Sequence, residues 1–379
     1  DNELLMRATY HSDGQILDED YVYGSFIQSR MYHQGIRCTD CHDPHTARLK
    51  HDSNQVCTSC HQHPAGKYDG PAHHHHQPGS TGALCVECHM PETTYMEVDP
   101  RRDHSIRNPR PDLSVDLGTP NACTRCHIDK QEAGLADRDD LRQYLDWILA
   151  ARDGDEDVAG YLQNVDQAMA DACEEWYGDQ RADDRLPGKH FAYAIDAARR
   201  GEPAAEPELI RLATDGRVPA VVRATALMEL NQYDSTRVVS TCKDLLRDPN
   251  PQVRATAVGN LQGRMAAEDL VRALGPLLED PVRLVRTEVA RVLVGVDRRL
   301  VPGDQRKQLE QALKAFERGV LTSNDRAGSH LGLGYLYASL GEPERALEAY
   351  ETAIRVEPRV SGPRSNLAEL CDQLAESAD

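Results

Sequence analysis

The sequence predicts a mostly α chain in two unlike parts: a loop-rich first third that closes on something other than its own side chains, followed by an α-solenoid of helical hairpins. Three observations predict this. Eight of the 11 Cys and fourteen of the 16 His fall before residue 131. The same stretch is interrupted by nine prolines between Pro44 and Pro120, which leaves room only for short helical pieces. Beyond residue 183 the sequence repeats itself at intervals of 31 to 34 residues, as stacked helical hairpins do.

A length of 379 residues allows two or three domains of about 100–200 residues each. Hydrophobic residues make up 40% of the chain but aromatics only 5%, so a folded protein without a large aromatic core is expected. The 43 Lys and Arg stand against 62 Asp and Glu, a net charge of −19. That balance argues against nucleic acid or an anionic membrane surface as the main partner, because phosphate binding needs basic patches. No apolar run reaches the ~18 residues of a transmembrane helix, so no such segment is predicted. The chain opens at Asp1 with no basic-then-apolar leader, so either a signal peptide has been removed or the chain is a piece of a longer one.

In chain order, residues 1–130 form the first region, with a helix expected over Tyr21–Tyr32. So little periodic apolar sequence over this length implies other material to fold around. Residues 131–182 read as connecting helices, Glu132–Ala151 and Val158–Tyr177, ended near Gly154 and Gly178. Over 183–302 an Asp-Pro or Asp-Gly turn is followed each time by a helix opened by Val-Arg: Val222-Arg223, Val253-Arg254 and Val285-Arg286. These resemble short HEAT repeats. Over 303–379, Ala312-Leu313-Lys-Ala315-Phe316-Glu317 returns as Ala346-Leu347-Glu-Ala349-Tyr350-Glu351, and with Gly334 and Pro358 this matches the tetratricopeptide pattern of small residues where two helices cross. Repeats bury one another's apolar faces, so residues 183–379 are expected to form one continuous solenoid. Its charge runs solvate exposed faces, and it shows no catalytic constellation.

Chemistry is concentrated in the first region. Cys-x-x-Cys-His occurs four times: Cys38/Cys41/His42, Cys57/Cys60/His61, Cys85/Cys88/His89 and Cys123/Cys126/His127. This is the c-type haem attachment motif. Two thiols three residues apart on one helical turn meet the two vinyl groups on one side of a porphyrin, and the adjacent imidazole lies against the iron as its proximal ligand. Zinc ribbons and disulfides also use Cys-x-x-Cys pairs, but neither gives a reason for a His after every second Cys. Four covalently attached haem c groups are therefore expected. Ten further His remain in the region, enough to supply each iron with a second imidazole.

Cys41-His42-Asp43-Pro44-His45 followed by Cys57-x-x-Cys60-His61 resembles the doubled motif of multihaem c-type cytochromes. Tyr21–Gly35, Pro71–His76, Cys85–Pro91 and Asp99–Asn121 also resemble a bacterial multihaem family fused to HEAT and tetratricopeptide repeats. Members of that family commonly carry a further N-terminal haem-bearing region, which leaves open a ligand from another segment or chain. The resemblance implies electron transfer, and makes His45 the first choice of distal ligand. His33, His104 and one of His73–His76 (His75 or His74) complete the set, with His11 as a fifth candidate. Met31, Met90 and Met96 are rival ligands that would raise a potential. Cys173, Cys242 and Cys371 form no pairing pattern and are expected to be buried helix residues.

The expected function is electron transfer through closely packed, mainly bis-His haems, without catalysis, the repeats serving as a docking arm for redox partner proteins or extracellular acceptors. Haem is attached outside the cytoplasm, so the location expected is periplasmic, cell-surface or extracellular. Two rivals stand beside it: a haem reductase or oxidase of small nitrogen or sulfur species with one open iron, and a homo-oligomer or conducting filament joined by a distal His from a neighbouring subunit.

Overall fold

A computed structural model of the chain describes residues 4–18, 20–64, 66–95, 98–181 and 190–376; Met96 and the boundary at residue 182 lie outside them. The protein is mostly helical, with one antiparallel ribbon in which Glu92–Tyr95 pairs with Asp99–Arg102. That ribbon was not expected from the sequence, although Thr93, Thr94 and Tyr95 suit a strand. Two compact units divide the chain, residues 3–229 and residues 230–379 with 1–2. Among the described residues no helix is long and apolar enough to cross a membrane.

In the first unit the N-terminal segment is tied to helices far along the chain. The Leu5 N–H donates to Thr225 Oγ1 at 3.0 Å, and the Arg199 guanidinium donates to the carbonyls of Leu5 (2.6 Å) and Tyr10 (2.8 Å). Leu5, Tyr10, Ile16, Phe26 and Ile27 are buried there. From residue 30 to residue 82, however, none of the described residues is buried. Two of the four Cys-x-x-Cys-His motifs lie in this coreless stretch.

Helix limits follow local capping. The expected helix Tyr21–Tyr32 is two pieces, Val22–Phe26 and Arg30–His33, because Ser29 restarts it by accepting the Tyr32 N–H at 3.1 Å. Helix Glu132–Ala151 is only Tyr144–Arg152: its first half is turns, with Gly134 at φ +69°, and a capping box of Gln143 and Asp146 opens the helix late. Helix Glu156–Arg181 runs through Gly178 rather than ending there, whereas Gly154, at φ +101°, does follow the preceding helix. Leu141, Trp147, Val158 and Leu162 form the core between these two helices.

His190 caps helix Phe191–Arg199, its Nδ1 accepting the Ala192 N–H at 3.2 Å. Burial, assisted by Arg110, lowers its pKa from 6.5 to about 4. As the pH falls from 6.5 towards 4 the unfolded chain takes up a proton that the folded chain refuses. Stability should therefore drop in that window, by about 1.4 kcal/mol per pH unit for this residue. Denaturation of His190→Asn, which keeps an acceptor and does not titrate, should show a shallower slope over the same range.

The repeats explain their own Val-Arg signature. In the first unit Arg223 Nε donates to the Ala213 carbonyl at 2.9 Å. In the second unit Arg254 donates to the Asp248 carbonyl (2.7 Å) and Arg286 to the Asp280 carbonyl (2.5 Å). Each arginine thus closes the turn that precedes its own helix. Arg254 also makes a two-pronged bond to Asp280, at 2.8 and 2.9 Å, which links one repeat to the next. Their side chains are 11% and 4% exposed. Asp280→Ala strands a buried guanidinium and should cost about 3–5 kcal/mol in a denaturant titration. Farther on, helices Ala327–Ser339 and Pro343–Val356 pack closely because Gly334 has no side chain: a Cβ there would lie 2.2 Å from the Tyr350 ring.

Candidate cofactor-binding region

Each motif lies at a short helical turn: Cys38–Cys41 and Cys85–His89 hold both of their cysteines, Gln55–Thr58 holds Cys57 with Cys60 in the turn that follows, and Thr124–His127 holds Cys126 with Cys123 at its N-cap. Such a turn places two cysteines three residues apart on one face. Polar contacts join the turns. Asn54 donates to Asp69 (2.8 Å) and to the Ala83 carbonyl (2.9 Å), and its Oδ1 accepts the Cys85 N–H at 2.9 Å. Glu87 pairs with Arg102 at 2.7 Å and with Arg125, inside the fourth motif, at 3.3 Å. Asn121 Oδ1 accepts the N–H groups of Cys123 and Thr124, while its amide donates to Ser114, Thr124 and Asp166.

Three motif imidazoles each have a second imidazole nearby, their ring planes 31°, 14° and 51° apart, and His74 and His76 make a further close pair without a motif histidine. Ring centroids lie 6.3 Å apart for His42 and His104, 6.1 Å for His89 and His73, and 6.2 Å for His127 and His76. Two imidazoles on opposite sides of one metal, each with a metal–nitrogen bond of about 2 Å and a further ~1.1 Å to its ring centre, would have centroids about 6.2 Å apart. One member of each of these three pairs comes from a Cys-x-x-Cys-His motif.

Backbone carbonyls then fix the rings. Nδ1 contacts the Ala47 carbonyl in His42 (2.7 Å), the Arg107 carbonyl in His89 (2.9 Å) and the Arg102 carbonyl in His104 (2.8 Å); His76 Nδ1 contacts the His74 carbonyl. An Nδ1–H donated to a carbonyl leaves Nε2 as the lone-pair nitrogen, the tautomer that ligates a metal. Burial lowers the pKa of His73 and of His89, which favours the neutral ring that can ligate. At three of the four motifs the residues present fit a haem, with paired thiols at a turn, an adjacent imidazole and a second imidazole at a suitable distance; the motif of His61 lacks the last of these.

The remaining candidates are placed differently. His61 is exposed and its ring lies 6.1 Å from the Tyr68 ring, nearly perpendicular. His45 is exposed on a loop held by the Asp43 carboxylate, which accepts the N–H groups of His45 and Thr46. His33 lies edge-on to Tyr32 at 5.4 Å. From the four-His run it is His73 and His76 that face motif imidazoles. His75, at φ +54°, stacks instead on Trp176 at 4.1 Å, and His74 Nδ1 accepts the His76 N–H. The Tyr177 hydroxyl donates to the His73 carbonyl. Helix Glu156–Arg181 therefore holds the His run, a role nothing in its sequence pattern signals.

Two thiol contacts complete the region. The thiols of Cys57 and Cys85 are hydrogen-bonded, which brings Cys85 down to about 7 and pushes Cys57 up. Cys123 is pushed up by a like contact with Cys173, buried on helix Glu156–Arg181. Burial raises Cys88 to about 11. Among the described residues no three or more His, Cys, Asp or Glu gather as a bare metal site; the donors stand in pairs.

The family of HEAT repeats matches residues 239–327, so the chain contains HEAT repeats over less than a quarter of its length. No curated protein matches the chain.

Proposed function

We propose that the first region attaches four haem c groups and that the protein carries electrons among them outside the cytoplasm, as a multihaem c-type cytochrome with a helical-repeat docking arm. The observation that carries this reading is the set of three imidazole pairs, each about 6 Å apart and each containing a motif histidine. When bound, haem iron exchanges single electrons between its ferric and ferrous states. The chain's part is to hold and orient. Cys38 with Cys41, Cys57 with Cys60, Cys85 with Cys88 and Cys123 with Cys126 supply the thioether positions. His42 with His104, His89 with His73, and His127 with His76 would hold the iron of three of the groups, and a metal so held would suit electron transfer. The Glu87–Arg125 pair and the Asn54 bridge keep neighbouring motifs close.

The haem groups also supply the apolar bulk that residues 30–82 lack. The repeats present protein-binding surfaces, and redox partner proteins or extracellular acceptors are the partners they would serve. The ferric spectrum tests this reading: at least three of four haems should be low-spin, and reduction and reoxidation should proceed without added substrate. A mostly high-spin spectrum would contradict it.

One observation favours a second reading. His61 faces a phenol, so a haem on Cys57 and Cys60 is the one placed to take a small nitrogen or sulfur ligand, as a reductase would require. Saturable binding of cyanide to one haem in four separates this reading from a fully closed set.

A further inference from the structure

The first unit contains a cavity of about 660 Å³, within the ~300–1,000 Å³ typical of ligand sites and far above the water-sized voids of a packed interior. None of its lining residues is a cysteine, so it lies apart from the four attachment motifs. Apolar wall comes from Ile148, Leu162, Tyr10 and Tyr144. Into this space faces His11, whose backbone is pinned by hydrogen bonds with Gln15 and Gly14. Its ring has no hydrogen-bond partner among the described residues. Burial lowers its pKa to about 4, so the imidazole stays neutral with a lone pair to offer. Arg7 and Arg152, both exposed, bring guanidinium groups to the lining.

A neutral imidazole beside an apolar wall, in a cavity whose remaining lining is polar, asks for a metal carried on a body with an apolar face and a polar edge, and guanidinium groups near solvent ask for carboxylates. An iron porphyrin with its two propionates has all three features. We propose that this cavity binds one further haem, non-covalently, with His11 as axial ligand and Arg7 and Arg152 at the propionates. Asp166, also in the lining, accepts a hydrogen bond from Thr124 Oγ1 at 2.5 Å, inside the fourth motif. The Tyr144 hydroxyl likewise accepts the Asn121 N–H at 3.4 Å. A haem in the cavity would thus be one side chain away from the Cys123 turn, close enough to extend the electron path at that end.

The test is a haemin titration of the purified chain, read by the Soret band and by haem extractable into acidified organic solvent. The expected result is one saturable equivalent of extractable haem, with affinity falling at least tenfold in His11→Ala. Ala159→Trp, which fills the cavity from its wall and leaves His11 in place, should abolish binding while the helical circular dichroism is unchanged. Absence of saturable binding, or binding that survives both substitutions (as on exposed histidines), would overturn the proposal. The covalent haem count, read by mass on the same samples, fails or holds independently of this result.

Discussion

Replacing His104 with alanine should convert one low-spin haem to a high-spin, five-coordinate one and leave the others unchanged. His104 reaches His42 across 6.3 Å, and its Nδ1 is held by the Arg102 carbonyl at the end of the ribbon, so ring and tautomer are both fixed. Among the described residues no other imidazole lies in ring contact with His42. The vacated position should then bind added imidazole or cyanide, which the unaltered haem refuses. His104→Met is the companion variant: a thioether in place of an imidazole should raise the potential of that one haem, by on the order of 0.1 V within the ~0.8 V that axial ligands span. His75→Ala, which removes a ring stacked on Trp176, should leave all haem spectra unchanged. If His75→Ala and His104→Ala have the same spectral effect, the pairing is wrong.

The chain produced without haem attachment should fail to fold over residues 30–82. None of the described residues in that stretch is buried, and a segment of exposed and half-buried residues cannot offset about 1–2 kcal/mol of backbone entropy per residue. Short turns such as Cys38–Cys41 and Gln55–Thr58 are far below the ~12–15 residues at which a helix is even marginal alone. The hairpins beyond residue 230 are different: Leu261, Leu274, Val285, Val289 and Leu293 are wholly buried. Amide hydrogen exchange should therefore show fast exchange through 30–82 and slow exchange in helices Pro251–Asn260 and Arg283–Leu293. Protection through 30–82 in the haem-free chain would mean that the polypeptide supplies its own core after all.

How much of this was legible beforehand divides along physical lines. The motifs are local, so Cys38 through His127 could be read directly, and so could the HEAT periodicity, because a repeated Val-Arg leaves a repeated trace. The facing imidazoles are non-local. His104 was in the set that the family resemblance implied, whereas within the run His73–His76 nothing in the sequence told His73 and His76 from His74 and His75. The choice depends on a left-handed backbone at His75 and on Trp176 and Tyr177, about a hundred residues away. Helix limits erred where capping overrode periodicity, as at Ser29 and Gln143. The ribbon Glu92–Arg102 was hidden among prolines and charges. Cys173 looked isolated in sequence and lies against Cys123 in space.

Those thiol contacts also define the rival outcome. If Cys57 were bonded to Cys85 and Cys123 to Cys173, three motifs would lose a thioether position. The intact mass of the purified, denatured chain distinguishes the cases most directly. The account predicts the polypeptide mass plus four haem groups, with eight cysteines blocked to thiol reagents and Cys173, Cys242 and Cys371 still reactive. A mass equal to the bare polypeptide, or lower by the hydrogens lost to disulfides, would contradict it.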